Sequence, residues 1–462
     1  MRILEGLSWA EIIEALGATP LGTPGRAPFG ASIDTRTLEP GDIFFALRGE
    51  RADGHAHVAF AAEKGASCAV IKDANRAVPG FFSLVVADPE IALFELGRLV
   101  RSRAGTVFVA ITGSAGKTTA KEFTAEILRA RGPVLATRGN LNNHLGVPLT
   151  LGRLETEHWA AVIECGMSHA GELSRLSHLV RPKVAVVINV AAAHLEFFAS
   201  LDEIAAAKAE IFDALGPDDT AVAPADEPLL RDRTLRARGT ARFFGPGDRS
   251  SLSATRVEMS LDGSRFEIES MGSTAGVVLP VPGPHAISNF LAAATVGQAL
   301  GLPLDVIAGR AKHLVPGENR GALKRLQDDI LLIDDSYNSN PRALLSALET
   351  LALAKDRRKV ACLGDMLELG PTSAALHREA GGAVGARVDL LLCVGPLAKE
   401  IAAGADPLPE ASKKLFADSA ALAAQVNDLV RSRDAVLVKG SRGLRMEQVV
   451  EALIAAHPGV PA

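Results

Sequence analysis

The chain of 462 residues has one tyrosine, two tryptophans and only four cysteines. No apolar run approaches the roughly eighteen uninterrupted residues of a membrane-crossing helix. The cysteines, Cys68, Cys165, Cys362 and Cys393, lie far apart, and three sit inside apolar runs. That spacing argues against a disulfide framework or a clustered metal site and fits buried thiols in a reducing compartment. Neither sign of charge dominates: 54 acids against 49 bases leave −5. Such a surface argues against nonspecific binding to nucleic acid or anionic membrane. There is no repeat at a solenoid period and no low-complexity tract. The opening stretch MRILEGLSWAEIIEALG carries two early acids and reads as a short amphipathic helix. It has neither the basic region nor the apolar stretch of a signal peptide. The expectation is a cytoplasmic multidomain enzyme, monomeric, with no nucleic-acid or membrane partner.

With 48% hydrophobic residues the chain can build large cores. Its length suggests about three domains. The first hundred residues mix short strands (Asp42 to Leu47, Cys68 to Ile71) with a helix from Val58 to Lys64 that Gly65 would end. The polar stretch Arg101 to Gly105 marks a boundary. Apolar runs then follow at Thr106 to Thr112, Ala160 to Glu164 and Val184 to Val190, with helical stretches between. Strands alternating with helices imply a parallel sheet covered on both faces. Between Ser251 and Val281 the periodicity shortens, which predicts a small antiparallel appendage. From near Val315 a second doubly wound unit is expected. Its strands are Ile330 to Asp334, Lys359 to Leu363, Asp389 to Val394 and Asp434 to Val438. Helices at Pro341 to Leu353 and Ser373 to Val384 lie among them. Pro341 suits a first helical turn.

The sharpest motif is Ile111-Thr112-Gly113-Ser114-Ala115-Gly116-Lys117-Thr118-Thr119. It joins an apolar strand to a helix. Its glycines let backbone N–H groups approach phosphate oxygens, and the helix start adds a positive dipole end. Lys117 would neutralise the β- and γ-phosphates, and the Thr118 hydroxyl would ligate Mg²⁺. The strict eight-residue pattern wants glycine where Ile111 stands, so this is a shortened form.

Carboxyl ends of strands face the ligand crevice in open α/β sheets. Glu164 stands at one such end and could hold a metal over the phosphates; His194 follows another. Lys208 lies in a helix with an acid-rich start, where a solvated surface charge is the ordinary outcome. Buried near cations, its neutral amine could instead take up CO₂ as a carbamate. Further along, Asp334-Asp335 with Ser336-Tyr337-Asn338, then Asp365 with Glu368, then Lys439-Gly440-Ser441-Arg442-Gly443 follow three successive strands. Tyr337 is the sole tyrosine. Lys and Arg beside a glycine turn suit a carboxylate or phosphate.

These segments resemble the Mur ligases, nearly end to end. The matching pieces begin with Ser32-Ile33-Asp34-Thr35-Arg36 and Pro40-Gly41-Asp42. The shortened phosphate loop, Gly139 to Pro148 and Glu164-Cys165-Gly166-Met167 with Gly171-Glu172 continue the series. Asn189 to Phe212, Asp335 to Pro341 and Leu363 to Gly370 complete it. One local departure is Pro224, which precedes Ala225-Asp226 where the family usually has Asn.

The resemblance implies an α/β fold of three domains. A small mixed α/β N-terminal domain, residues 1–104, would bind the UDP-sugar. A central P-loop parallel-sheet ATPase domain, 105–314, would bind ATP, and a C-terminal Rossmann-like domain, 315–462, the dipeptide. It also implies roles. Gly113, Ser114, Ala115, Gly116, Lys117, Thr118 and Thr119 would hold ATP, with Asn289 at adenine and Arg320 and Asp335 on the far side. Thr118, Glu164, His194 and a carbamylated Lys208 would serve two Mg²⁺ sites. Lys117, Lys208, His194 and Arg320 form the implied catalytic group. Ser32, Asp34, Arg36, Asn142, Asn143, His144 and Ser168 would face the UDP-substrate. Asp365, Glu368, Lys439, Ser441 and Arg442 would flank the dipeptide.

The activity so implied is ATP-dependent amide formation between UDP-N-acetylmuramoyl-tripeptide and D-alanyl-D-alanine, through an acyl phosphate, for peptidoglycan synthesis. The alternatives are a sibling or folylpolyglutamate synthase-like ligase adding one amino acid, or a P-loop switch ATPase. Against the last, the strand that would end in a metal-binding Asp ends in Asn189.

Overall fold

The computed structural model describes residues 1–49, 52–192 and 195–459. Four sheets follow one another along the chain. The first holds β1 (Thr19–Leu21), β2 (Gly30–Ser32), β3 (Asp42–Phe45), β4 (Cys68–Ile71) and β5 (Ser83–Val85), in the order β1-β5-β4-β3-β2. The second holds β6 (Val107–Thr112), β7 (Val134–Ala136), β8 (Ala160–Glu164), β9 (Val184–Val187), β10 (Thr220–Pro224) and β11 (Thr240–Phe244). Its order is β11-β10-β9-β6-β8-β7, and every pair is parallel. The expected appendage is an antiparallel meander of β12 (Ser253–Ser260), β13 (Gly263–Ser270) and β14 (Ser273–Leu279).

The last sheet comprises β15 (Ala322–Arg325), β16 (Leu331–Asp335), β17 (Lys359–Gly364), β18 (Leu390–Val394), β19 (Lys413–Phe416) and β20 (Ala435–Lys439). The order is β15-β16-β20-β17-β18-β19, antiparallel only at the β15 edge.

Why the strands are apolar throughout is visible in their packing. Phe108 and Ala110 of β6 enter one core, while Val109 and Ile111 enter another on the opposite face. The last sheet repeats this, with Leu331 and Ile333 on one side and Leu332 on the other. Period-2 alternation thus feeds two cores, as burial on both faces requires. One core is continuous from Ile43 and Phe45 of the first sheet to Ile163 and Val187 of the second. The first two units therefore share buried surface, whereas the last sheet has cores of its own.

The N-terminal helix forms at Trp9–Leu16, capped by Ser8 and Glu11, and ends at Gly17 in the left-handed region. All four cysteines are buried and free, with thiols pushed upward by burial. No helix among the described residues is long and apolar enough to cross a membrane. Two strands end early: β3 stops at Phe45 where the sequence predicts Leu47, and β9 stops at Val187 where it predicts Val190. Ile188 still donates to Thr112, but the Asn189 side chain turns to the neighbouring loop instead of continuing the ladder.

Candidate active site

In the second sheet, β6 lies between β9 and β8. The strand order switches there, and a crevice opens at the carboxyl ends. The phosphate loop fills this position, between β6 and the helix Lys117–Leu128. Gly116 takes φ +78°, and a Cβ there would meet Asn289 Oδ1 at 2.9 Å. Only glycine permits both the turn and that approach. Asn189 Oδ1 accepts from Ser114 N at 3.0 Å and Ala115 N at 2.9 Å, and its Nδ2 donates to the Ala115 carbonyl at 2.8 Å. The residue in place of the motor-type Asp therefore splints the loop.

Glu164, 2% exposed at the end of β8, accepts from the Thr118 hydroxyl at 2.8 Å and from Asn142 Nδ2 at 2.7 Å. Lys117 donates to the Gly113 carbonyl at 2.9 Å. Burial, reinforced by Arg320, holds Lys117 below the usual lysine value despite Glu164 and Glu368. Lys208, on the helix Leu201–Ala209, is 1% exposed. Burial, with the charge of Lys117, holds it well below the ordinary lysine value. The solvated surface charge expected of a helical lysine is not what forms.

The last sheet presents its own carboxyl ends to this crevice. Asp335 ends β16, and its carboxylate accepts from Lys439 of β20 at 2.5 Å; Lys439 also donates to the Asn338 carbonyl at 2.8 Å. The Arg320 guanidinium lies 3.9 Å from the Tyr337 ring centre, with Arg442 above the same ring at 5.8 Å. Several polar contacts join the units. Asn340 Nδ2 donates to the Ser114 carbonyl at 3.5 Å, Arg342 to the Val190 carbonyl at 3.1 Å, and Glu196 N to the Glu368 carbonyl at 3.4 Å.

Between them lies a cleft of about 1400 Å³. Ser114 to Thr119, Glu164, Asn289, Arg320 and Asp335 line it, as do Asn142, Asn143, His144 and Ser168. So do Glu368, Lys439, Ser441 and Arg442.

Other predicted positions stand apart from this wall. Gly113 contributes its carbonyl to Lys117. Ser32, Asp34 and Arg36 form a separate cluster in which Arg36 grips both Asp34 oxygens, the closest at 2.7 Å. Ser32 Oγ meanwhile donates to the Asp34 carbonyl at 3.0 Å. Asp365, 2% exposed and raised by burial, accepts from Leu397 N at 3.1 Å and is not part of the cleft lining. His194 lies outside the described residues.

The sequence reading missed several cleft residues. Arg175 reaches the wall with its guanidinium over Phe94, 4.3 Å from the ring centre. His285 has an Nδ1 buried without a hydrogen-bond partner. Asn340 gave a signal, since an Asn before Pro341 is a helix cap, and its Oδ1 does accept from Ala343 N at 2.8 Å. Nothing in the sequence marked Arg342 or Arg175.

A P-loop at a sheet switch point, roofed by a second α/β unit, defines an enzyme that works on a nucleotide between two units. Comparison narrows the class. Residues 111–297 match the Mur ligase middle domain, 319–442 the Mur ligase glutamate ligase domain, and 30–93 the Mur ligase family catalytic domain. The UDP-N-acetylmuramoyl-tripeptide–D-alanyl-D-alanine ligase of Escherichia coli K12 is 39% identical over 428 residues, covering 91% of this chain and 93% of that one. The structure of MurF from Acinetobacter baumannii superposes with a TM-score of 0.88 at 31% identity, covering 96% of this chain and 98% of that one. MurF ligase from Thermotoga maritima in complex with ADP gives 0.81 at 28% identity, covering 92% and 96%. The chain belongs to the Mur ligase family.

Proposed function

We propose that this enzyme joins D-alanyl-D-alanine to UDP-N-acetylmuramoyl-tripeptide, forming ADP, phosphate and UDP-N-acetylmuramoyl-pentapeptide for peptidoglycan. The observation that carries the reading is the single cleft joining the phosphate loop and Glu164 to the Asp335–Lys439 cluster. The curated relative of that name supports the substrates, and the ADP-bound neighbour supports ATP use. In this reading residues 1–104 hold the UDP-sugar, 105–314 the ATP and 315–462 the dipeptide.

The residues fit Mg²⁺. The Thr118 hydroxyl and Glu164 carboxylate offer hard oxygens 2.8 Å apart. No three His, Cys, Asp or Glu side chains cluster among the described residues, so phosphate oxygens and water would complete the shell, as Mg²⁺ prefers. When bound, the ion neutralises phosphate charge. A carbamate on Lys208 would add a buried anion supporting a second ion.

The remaining work falls to the chain. A substrate carboxylate must approach a triphosphate of like charge. Lys117 and Arg320 offset that repulsion at the γ-phosphoryl group. Attack on the γ-phosphorus makes the acyl phosphate and releases ADP. The dipeptide amine then adds to the carbonyl and phosphate leaves. The Asn340 and Arg342 contacts hold the roof over the loop and keep water from the acyl phosphate. In this reading Asp335, held by Lys439, meets the nucleotide's far side, and Glu368, Ser441 and Arg442 of the cleft wall flank the dipeptide.

The test is phosphate release from ATP with Mg²⁺, in mixtures complete or lacking either substrate. The expected result is release that needs both, with a product heavier by one dipeptide less water. Release needing neither overturns the reading in favour of a switch ATPase.

A further inference from the structure

We propose that a bulge in β12 presents Val257 and Met259 as an apolar wall against the purine base of the nucleotide, making these two residues determinants of base affinity. The inference rests on reading the cleft as an ATP site.

Thr255 pairs with Glu267, but the next pair is Glu258 with Arg265. Three steps on β12 thus match two on β13, and Arg256 and Val257 share the place opposite Phe266. Arg256 takes φ +53°, a left-handed conformation that a non-glycine residue adopts only where surroundings impose it. The extra residue changes which face the following side chains occupy. Met259 pairs with Ser264 and so shares the face of Phe266 and Ile268. In an unbulged strand, Met259 would sit on the other face from Ala254.

Phe266 and Ile268 are 4% and 0% exposed, whereas Val257 and Met259 are each 42% exposed. They stand beyond the core's edge, on the wall of the cleft. Phe244, Pro246, Ile287 and Leu291 line the same cleft. The last two belong to the helix Pro284–Ala299, which also carries Asn289 against Gly116 of the phosphate loop. The apolar patch is therefore continuous with the phosphate site through one rigid helix. A flat group joined to phosphates is the chemistry that fits, and a purine base is that group. Bulges recur beside active sites because they re-aim side chains in this way.

The experiment uses Val257→Ser, Met259→Ser and the double variant, with Met259→Leu as the conservative control. Both sites are partly exposed, and thermal midpoints check that the fold is kept. The expected result for the double variant is a KM for ATP raised about tenfold, the equivalent of roughly one side chain's apolar contact. The kcat is expected to hold, Met259→Leu to behave as wild type, and inhibition by inorganic tripolyphosphate, which has no base, to be unchanged. An unchanged KM for ATP overturns the proposal. So does an equal loss of tripolyphosphate binding, or a shift in the KM for the UDP-tripeptide instead. Wild-type protein that binds neither ATP nor tripolyphosphate overturns the nucleotide reading itself, a separate and recognisable failure.

Discussion

The Thr118 hydroxyl and the Glu164 carboxylate are joined at 2.8 Å although they come from a helix start and a strand end 46 positions apart. The other carboxylate oxygen holds Asn142 at 2.7 Å. One buried acid thus couples the phosphate loop to the segment expected to face the UDP-substrate. Glu164→Gln keeps the shape and removes the charge. Phosphate release is expected to fall on the order of 10²- to 10³-fold, the scale of losing one preorganised charge contact. Calorimetry with ATP alone should show weaker Mg²⁺-dependent binding. Undiminished turnover would remove Glu164 from the site.

Lys208 is buried, and among the described residues no acidic side chain pairs with it to hold a proton on it. The neutral amine is the form that takes up CO₂. Lys208→Ala is expected to lose roughly 100-fold in rate, as outer-shell supports of metal sites do. Acetate or another short carboxylate should restore part of it. Full activity in the variant without such additions would exclude the carbamate.

Arg342 donates to the Val190 carbonyl and lies 3.6 Å from Glu227 Oε2, across the junction of the units. Arg342→Ala leaves each core untouched. Steady-state kinetics should show kcat/KM for the dipeptide lowered about tenfold, because the roof meets the loop less often. The thermal midpoint should stay within a degree or two, since half-exposed ion pairs contribute little to stability. A large fall in midpoint with normal kinetics would make the contact purely structural.

His285 gives a pH prediction. Burial, helped by Lys439, holds its imidazole below the ordinary value, although Asp335 pulls upward. Folding therefore favours the neutral ring. The unfolded chain takes up the proton near pH 6.5. This contribution is complete above about that pH and fades as pH falls below it toward the lowered folded value. Urea midpoints between pH 7.5 and 5.5 should fall more steeply for wild type than for His285→Gln. Parallel curves would mean the ring takes its proton freely in the fold.

How much of this was legible in the sequence depends on range. The phosphate loop was fully written, since Gly116 and the strand before it are local features with one stereochemical solution. Continuous apolar runs gave away the central strands of both parallel sheets, because burial on two faces leaves no polar positions. Thr220–Pro224 and Thr240–Phe244 were missed; one ends in proline and the other carries Arg242 at its centre, so neither reads as a core strand. The burial of Lys208 was illegible because its helix is rich in alanine and shows no apolar stripe to orient it. Pairing of Asp335 with Lys439 depends on strand order, which no local pattern encodes.

That pairing also bears on how the protein is made. Lys439 follows Asp335 by 104 positions, yet β20 lies between β16 and β17. Until the ribosome has delivered the segment through Lys439, the last sheet must hold an unfilled slot at its centre, with two rows of unpaired backbone groups flanking it. At the usual pace of translation, about 5–20 residues per second, that interval lasts several seconds. The nascent unit then offers its most apolar edges to any passing strand. Its two faces can be covered early, but the cluster that completes the cleft closes only when the missing central strand slides home.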